Sequence, residues 1–271
     1  MSSTPEPETL PLARLLSRPV LISGAALGLA IVLAWAWLFA NPMPMDGLGG
    51  PDSMPGMADM PGMEAALDPW SADYLLAAFA MWALMMVAMM LPSAAPMILL
   101  HARIDRGTEA QRTRDSFLFI LCYLAVWTIF STFAALTQAA LIGGGLLPSH
   151  TLALDSSVLA AGLVFAAALW QLTSAKTACL QQCQSPLQFV MRYWRPGAAG
   201  AVRLGLRHGL FCLGCCWSLM LLLFVGGVMN LAWIAALALL PFIEKVTPPL
   251  WRADRWLAGL LLLGAAVLLA F

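Results

Sequence analysis

The chain has 271 residues, of which 61% are hydrophobic and only 10% charged. No ordinary soluble core uses that much apolar sequence, so the composition excludes a conventional soluble domain and points to a membrane protein. The fourteen basic and fourteen acidic residues cancel, which leaves the position of charge along the chain, not its sum, as the informative quantity.

Residues 1–18 form a polar, proline-containing tail ending in Arg14 and Arg18. The apolar run 19–40 is long enough to span a bilayer, which takes about 20 residues. It exceeds the roughly 7–15 residues of a signal-peptide core, and no convincing small-x-small cleavage site follows, so it reads as a retained anchor. Residues 41–71 are a Met/Pro/Gly-rich loop. It holds Met43 and Met45, then a repeated unit, Met54-Pro-Gly-Met57 and Met60-Pro-Gly-Met63, behind Asp52 and Asp59. Proline and glycine at this density oppose regular structure.

Residues 72–271 read as a six-helix membrane domain. Its first span, roughly 73–100, carries Met81, Met85, Met86, Met89, Met90 and Met97, with Pro92 and Pro96 as expected kinks. Further spans are expected near 116–142, 152–175, 204–226, 228–243 and 255–271, the pair around Gly226-Gly227 forming a tight hairpin. The fold expected is therefore an all-α polytopic bundle of about seven transmembrane helices, N-terminus cytoplasmic and C-terminus outside.

The positive-inside rule supports that count. With the N-terminus inside, the inner segments hold Arg14, Arg18, Arg103, Arg106, Arg112, Arg114, Lys176, Arg192, Arg195, Arg203, Arg207, Lys245, Arg252 and Arg255, all fourteen basic residues of the chain. The outer loops carry acids, among them Asp46, Asp59, Glu64, Asp68 and Asp155. A bacterial inner-membrane, multi-pass location follows, with the Met-rich loop in the periplasm.

Five of the six cysteines fall within the cytoplasmic segment 176–216, as Cys179 and Cys183, then Cys212, Cys215 and Cys216. Residues three or four apart share a helix face, so Cys179 pairs with Cys183, and His208 aligns with Cys212 and with Cys215 or Cys216. The adjacent Cys215 and Cys216 do not easily enter one tetrahedral site together. Thiols in the cytoplasm are normally reduced, which argues against structural disulfides. Thiolates and thioethers are soft ligands that favour Cu(I); Cys and His alone also suit zinc. The Met-rich loop offers thioethers and aspartate only, which tilts it towards Cu(I) or Ag(I).

Simpler roles exist for each feature. Methionines at helical spacing fill helix interfaces. Cys122 reads as a small hydrophobe, Glu244 beside Lys245 as an interfacial ion pair, and Gln171 and Asn230 as bonds between neighbouring spans. His101 and His150 carry weaker signals than His208. The segment from Pro186 to Arg195 suits a short interfacial helix that folds the first cysteine pair over the second.

Three blocks together resemble a bacterial family of metal-binding integral membrane proteins, a domain of unknown function sometimes labelled a copper chaperone. They are Met81-Trp82 with Met85-Met86-Val-Ala-Met89-Met90-Leu-Pro92-Ser-Ala-Ala-Pro96-Met97, then Trp170-Gln171-Leu-Thr-Ser-Ala-Lys176-Thr-Ala-Cys179-Leu-Gln-Gln-Cys183-Gln-Ser-Pro186, and Gly205-Leu-Arg207-His208-Gly-Leu-Phe-Cys212-Leu-Gly-Cys215-Cys216-Trp217. The resemblance covers roughly 72–245 and implies a polytopic protein with a metal role.

The function expected is handling of Cu(I), with the six loop methionines as an outer site, the α-helical methionines as part of a route, and the Cys/His set as an inner site. A thiol redox enzyme and an assembly factor for a membrane metalloenzyme are the alternatives. The expected partners are the lipid bilayer, a metal ion and a periplasmic or membrane metalloprotein, with no nucleic acid. No phosphate-binding glycine motif, no Ser/His/Asp order and no paired membrane carboxylates are present, so a conventional hydrolase or an ATP-driven pump is not expected.

Overall fold

The computed structural model of the chain describes residues 18–40, 68–104, 107–148, 151–247 and 253–270. The six loop methionines, Met43, Met45, Met54, Met57, Met60 and Met63, and His150 lie outside the described residues. Among the described residues all regular structure is helical. The helices are α1 (Arg18–Ala40), α2 (Ala72–Ile104), α3 (Glu109–Gly143), α4 (Ser157–Gln171), α5 (Ser174–Gln184), α6 (Pro186–Tyr193), α7 (Ala198–Leu221), α8 (Leu223–Gly226), α9 (Leu231–Val246) and α10 (Ala253–Ala270).

By length and composition, α1, α2, α3 and the run α7–α8 can each cross a membrane. The fourth expected span takes a different form. Helix α4 has only 15 residues, about 22 Å at 1.5 Å per residue, against a hydrocarbon core of about 30 Å. The chain then breaks at Leu172–Thr173 and turns by 66° into α5, and the bent pair makes a fifth candidate span if counted as one. Thr173 starts α5 by capping it, its Oγ1 accepting from Lys176 N at 3.2 Å. Cys179 and Cys183 therefore sit on a helix, not in a loop.

Helix α2 is the centre of the bundle. Ala78, Met81, Trp82, Met85, Met86, Met89, Met90, Ala94, Met97 and Ile98 are all buried, and α1, α3, α6 and α9 pack around it. Its two prolines do not end the helix, which runs unbroken for 33 residues. Proline lacks the N–H that would bond the carbonyl four residues back. For Pro92 that carbonyl belongs to Ala88, and the Trp35 indole of α1 donates to it at 3.2 Å. A neighbouring helix thus satisfies the group that the proline frees.

Helix α7 lies close against α3 because it presents Gly205 and Gly209, a small-x-x-x-small spacing that lets helix backbones approach. A β-carbon at Gly205 would sit 2.5 Å from Phe119 O, and one at Gly209 would sit 2.9 Å from Val126 Cγ2. The expected hairpin after α8 is present. Gly227 has φ +90°, and Asn230 caps α9 by accepting from Trp233 N at 3.2 Å. Asn230 is thus a cap and not an interhelical bond within a span. Gln171, at the end of α4, is buried, and neither side-chain amide atom has a hydrogen-bond partner.

Candidate functional site

The close approach of α3 and α7 sets Cys212 against Tyr123, whose hydroxyl lies 3.1 Å from Cys212 Sγ. Helix α9 reaches the same sulfur directly, and α2 joins through the groups that bond it. Lys245, near the end of α9, donates to Cys212 Sγ at 3.1 Å and to Ser93 Oγ of α2 at 2.8 Å. Ser93 follows Pro92 and donates to Met90 O at 2.9 Å, and Tyr123 donates to the same carbonyl at 3.2 Å. One sulfur thus joins α2, α3, α7 and α9.

The other sulfurs extend from it. Cys215 Sγ lies 3.2 Å from Cys216 Sγ and donates to Cys212 O at 3.2 Å. The thiols of Cys212 and Cys216, and those of Cys215 and Cys183, are near enough to influence one another electrostatically. The sequence of contacts is Cys183, Cys215, Cys216, Cys212, and it brings in α5 as a fifth helix. All four residues are buried and all are free thiols. Although Cys215 and Cys216 are adjacent in sequence, their sulfurs lie 3.2 Å apart. Among the described residues no group of three or more Cys, His, Asp or Glu has the arrangement of a ready-made metal cage.

The remaining expected site residues divide. Cys179 Sγ lies against the α7 backbone, where a β-carbon at Gly214 would come within 2.8 Å of it. It fixes how closely α5 docks and is half-buried. His208 is buried, not interfacial, and neither ring nitrogen has a hydrogen-bond partner. Its ring stacks on Tyr123 at 5.4 Å between centroids and meets Phe189 of α6 at 5.6 Å. Phe119 bridges the rings of His101 and His208 at 5.5 and 6.0 Å. Met81, Met85, Met86, Met89, Met90 and Met97 are all buried along α2, and Met90 contributes its carbonyl to the network around Cys212. Cys122 is half-buried beside Gly205.

Glu244 does not pair with Lys245 at an interface. It bonds Lys176 of α5 in an ion pair buried on both sides. Gln184 adds bonds from the other end of α5, donating to Glu244 O at 2.8 Å and to Thr247 O at 3.2 Å. Two basic residues that the charge pattern assigns to loops, Lys176 and Lys245, are therefore inside the bundle.

A family model described as copper chaperone, PpoB2, matches residues 79–269, most of the chain and every helix that builds the cluster. The chain belongs to the PpoB2 copper chaperone family. No curated protein and no solved structure matches it. For a copper chaperone the metal is cargo, and thiolates are among the soft donors that Cu(I) prefers. Sequence reasoning missed Tyr123, Ser93 and Lys245. Lys245 stands at the end of an apolar run, where the charge pattern assigns it to an inner loop.

Proposed function

We propose that this copper chaperone family member is a membrane protein that holds Cu(I) between the thiolates of Cys183, Cys212, Cys215 and Cys216 and passes it on. The observation that carries the reading is the line of free, buried sulfurs where five helices meet. A break in a helix beside it fits the same role, because interrupted helices in membranes are tolerated where they line a protein-enclosed site. In this reading α9 and α10 complete seven spans, the N-terminus is cytoplasmic, and the separation of basic inner from acidic outer segments sets the orientation. Met54, Met57, Met60 and Met63, with Met43 and Met45, form the outer capture site. The α2 methionines line part of the route without burying fixed charge, and a periplasmic or membrane metalloprotein exchanges the ion.

The test is metal content of the detergent-purified protein after anaerobic Cu(I) loading. The parent retains copper, and the Cys183→Ser/Cys212→Ser/Cys215→Ser variant, at equal folding, loses it. Retention by the triple variant sinks the inner site. Replacing the six loop methionines by leucine lowers capture of Cu(I) from dilute solution; unchanged capture removes the outer site alone.

The 3.2 Å contact of Cys215 and Cys216 favours a second reading, thiol redox chemistry. A disulfide needs sulfurs about 2.05 Å apart, and buried thiols in apolar surroundings are poorly reactive. Counting free thiols before and after mild oxidation separates the two: loss of a thiol pair in the folded protein supports the redox reading.

A further inference from the structure

No carboxylate among the described residues forms a salt bridge with Lys245. Among the described residues the ion pairs are Arg114–Asp115 and Lys176–Glu244, so Glu244, adjacent in sequence, is taken by another lysine. Lys245 is 8% exposed, and its two hydrogen-bond partners are Cys212 Sγ and Ser93 Oγ. The serine is uncharged and already donates to Met90 O. The Tyr123 hydroxyl lies on the same sulfur. A buried ammonium without an anion is costly, and the anion-forming atom it touches is a thiol sulfur.

We propose that Lys245 is the counter-charge of the bound metal and gives the site its preference for a monovalent soft ion held by Cys212 and a second thiolate of the cluster. The inference rests on the Cu(I) reading above. When Cu(I) or Ag(I) enters between two thiols, two sulfur–metal bonds form, two protons leave to solvent, and the complex carries one negative charge. The Lys245 ammonium, 3.1 Å from one of the sulfurs, makes the assembly neutral. Hg(II) is equally soft and also takes two thiolates, but its complex is already neutral and leaves the ammonium unmatched. Lys245 therefore discriminates between ions of the same ligand taste by one unit of charge.

The experiment is competition of Ag(I) against Hg(II) for the full-length, detergent-solubilised protein, each ion buffered by a small neutral dithiol. In Lys245→Gln, which keeps a hydrogen-bond donor and loses the charge, the Ag(I):Hg(II) affinity ratio falls by about a hundredfold, the scale of one broken buried charge pair. Lys245→Arg restores most of the ratio. A residue that merely shaped the site would weaken both ions together, so an unchanged ratio in Lys245→Gln overturns the inference and leaves the Cu(I) reading standing. Should Lys245→Gln fail to fold, the parent protein decides the matter. Its Ag(I):Hg(II) ratio exceeds that of the free dithiol, and equality overturns the inference. Undiminished Ag(I) affinity in Cys212→Ser also overturns the inference, because Cys212 is the sulfur that Lys245 bonds, while the Cu(I) reading still rests on the triple variant.

Discussion

Lys176 on α5 and Glu244 on α9 form an ion pair that water does not reach, with 0% and 3% of their side chains exposed. Together with the two bonds of Gln184 to the end of α9, the pair fastens the helix that carries Cys183 to the helix that carries Lys245. Helix α5 also packs on α7 through Cys179, and this clamp adds the tie to α9 that helps to hold Cys183 beside Cys215. Glu244→Gln strands the Lys176 charge and is expected to destabilise the protein by about 3–5 kcal/mol. Replacing both, as Lys176→Met with Glu244→Leu, removes both buried charges and recovers most of that loss. Thermal unfolding in detergent checks the sizes. Maleimide labelling of Cys183 checks the cause, rising in Glu244→Gln and staying low in the double variant.

The cysteines are not equivalent. Cys183, Cys212, Cys215 and Cys216 form the line of sulfur contacts, whereas Cys179 rests on the backbone at Gly214 and Cys122 lies beside Gly205. Single serine variants should therefore rank in two groups. Cys183→Ser and Cys212→Ser lower Cu(I) affinity by at least about tenfold, since each removes a soft donor. Cys179→Ser and Cys122→Ser leave it within about twofold, the change expected of a peripheral packing site. Competition with a Cu(I) chelator measures the series, and a tenfold loss in Cys122→Ser would contradict the ranking.

The helix spacing of His208 with Cys212, and of Cys179 with Cys183, is readable in the sequence because it is a property of one helix. Which helices meet is not. The placement of Tyr123 against Cys212 depends on Gly205 and Gly209 letting α7 approach α3, a spacing present in the sequence but informative only once the partner helix is known. Lys176 and Lys245 look like loop charges because each adjoins an apolar run, and nothing local reveals that a bend in one chain segment brings Glu244 to the first and a sulfur to the second. The methionines of α2 are visible as a stripe, yet burial alone does not separate a packing role from a ligand role, since thioethers serve both.

Close approach of α3 and α7 also sets a steric limit. A methyl group at Gly205 would stand 2.5 Å from the Phe119 carbonyl oxygen and 3.1 Å from Cys122 Cβ, and backbone cannot swing aside as a long side chain does. Gly205→Ala is expected to cost about 1–3 kcal/mol through forced separation of the helices. Because that separation draws Tyr123 away from Cys212, Cu(I) affinity falls in parallel with thermal stability. Gly259→Ala, where nothing lies within 4 Å of the added group, serves as the control: it leaves Cu(I) affinity unchanged and raises stability by about 0.5–1 kcal/mol through helix propensity.

The bond from Trp35 to Ala88 O permits a test in which one defect cures another. The Ala88 carbonyl is orphaned because residue 92 is proline, and the indole of α1 is its partner at 3.2 Å. Trp35→Phe keeps the aromatic bulk and deletes the donor, leaving a carbonyl unpaired in an apolar setting, at a cost of about 1–3 kcal/mol. Pro92→Ala supplies the missing N–H at that turn of α2, so the carbonyl no longer depends on α1. The double variant should therefore be more stable than Trp35→Phe alone, with a coupling of about 1 kcal/mol in a double-mutant cycle of detergent unfolding. Additive effects would mean that Trp35 acts through packing on Phe39, 5.9 Å away between ring centroids, and not through the proline-freed carbonyl. The cycle thus decides whether α1 serves as a structural partner of the α2 proline turn, the turn that places Ser93 beside Lys245.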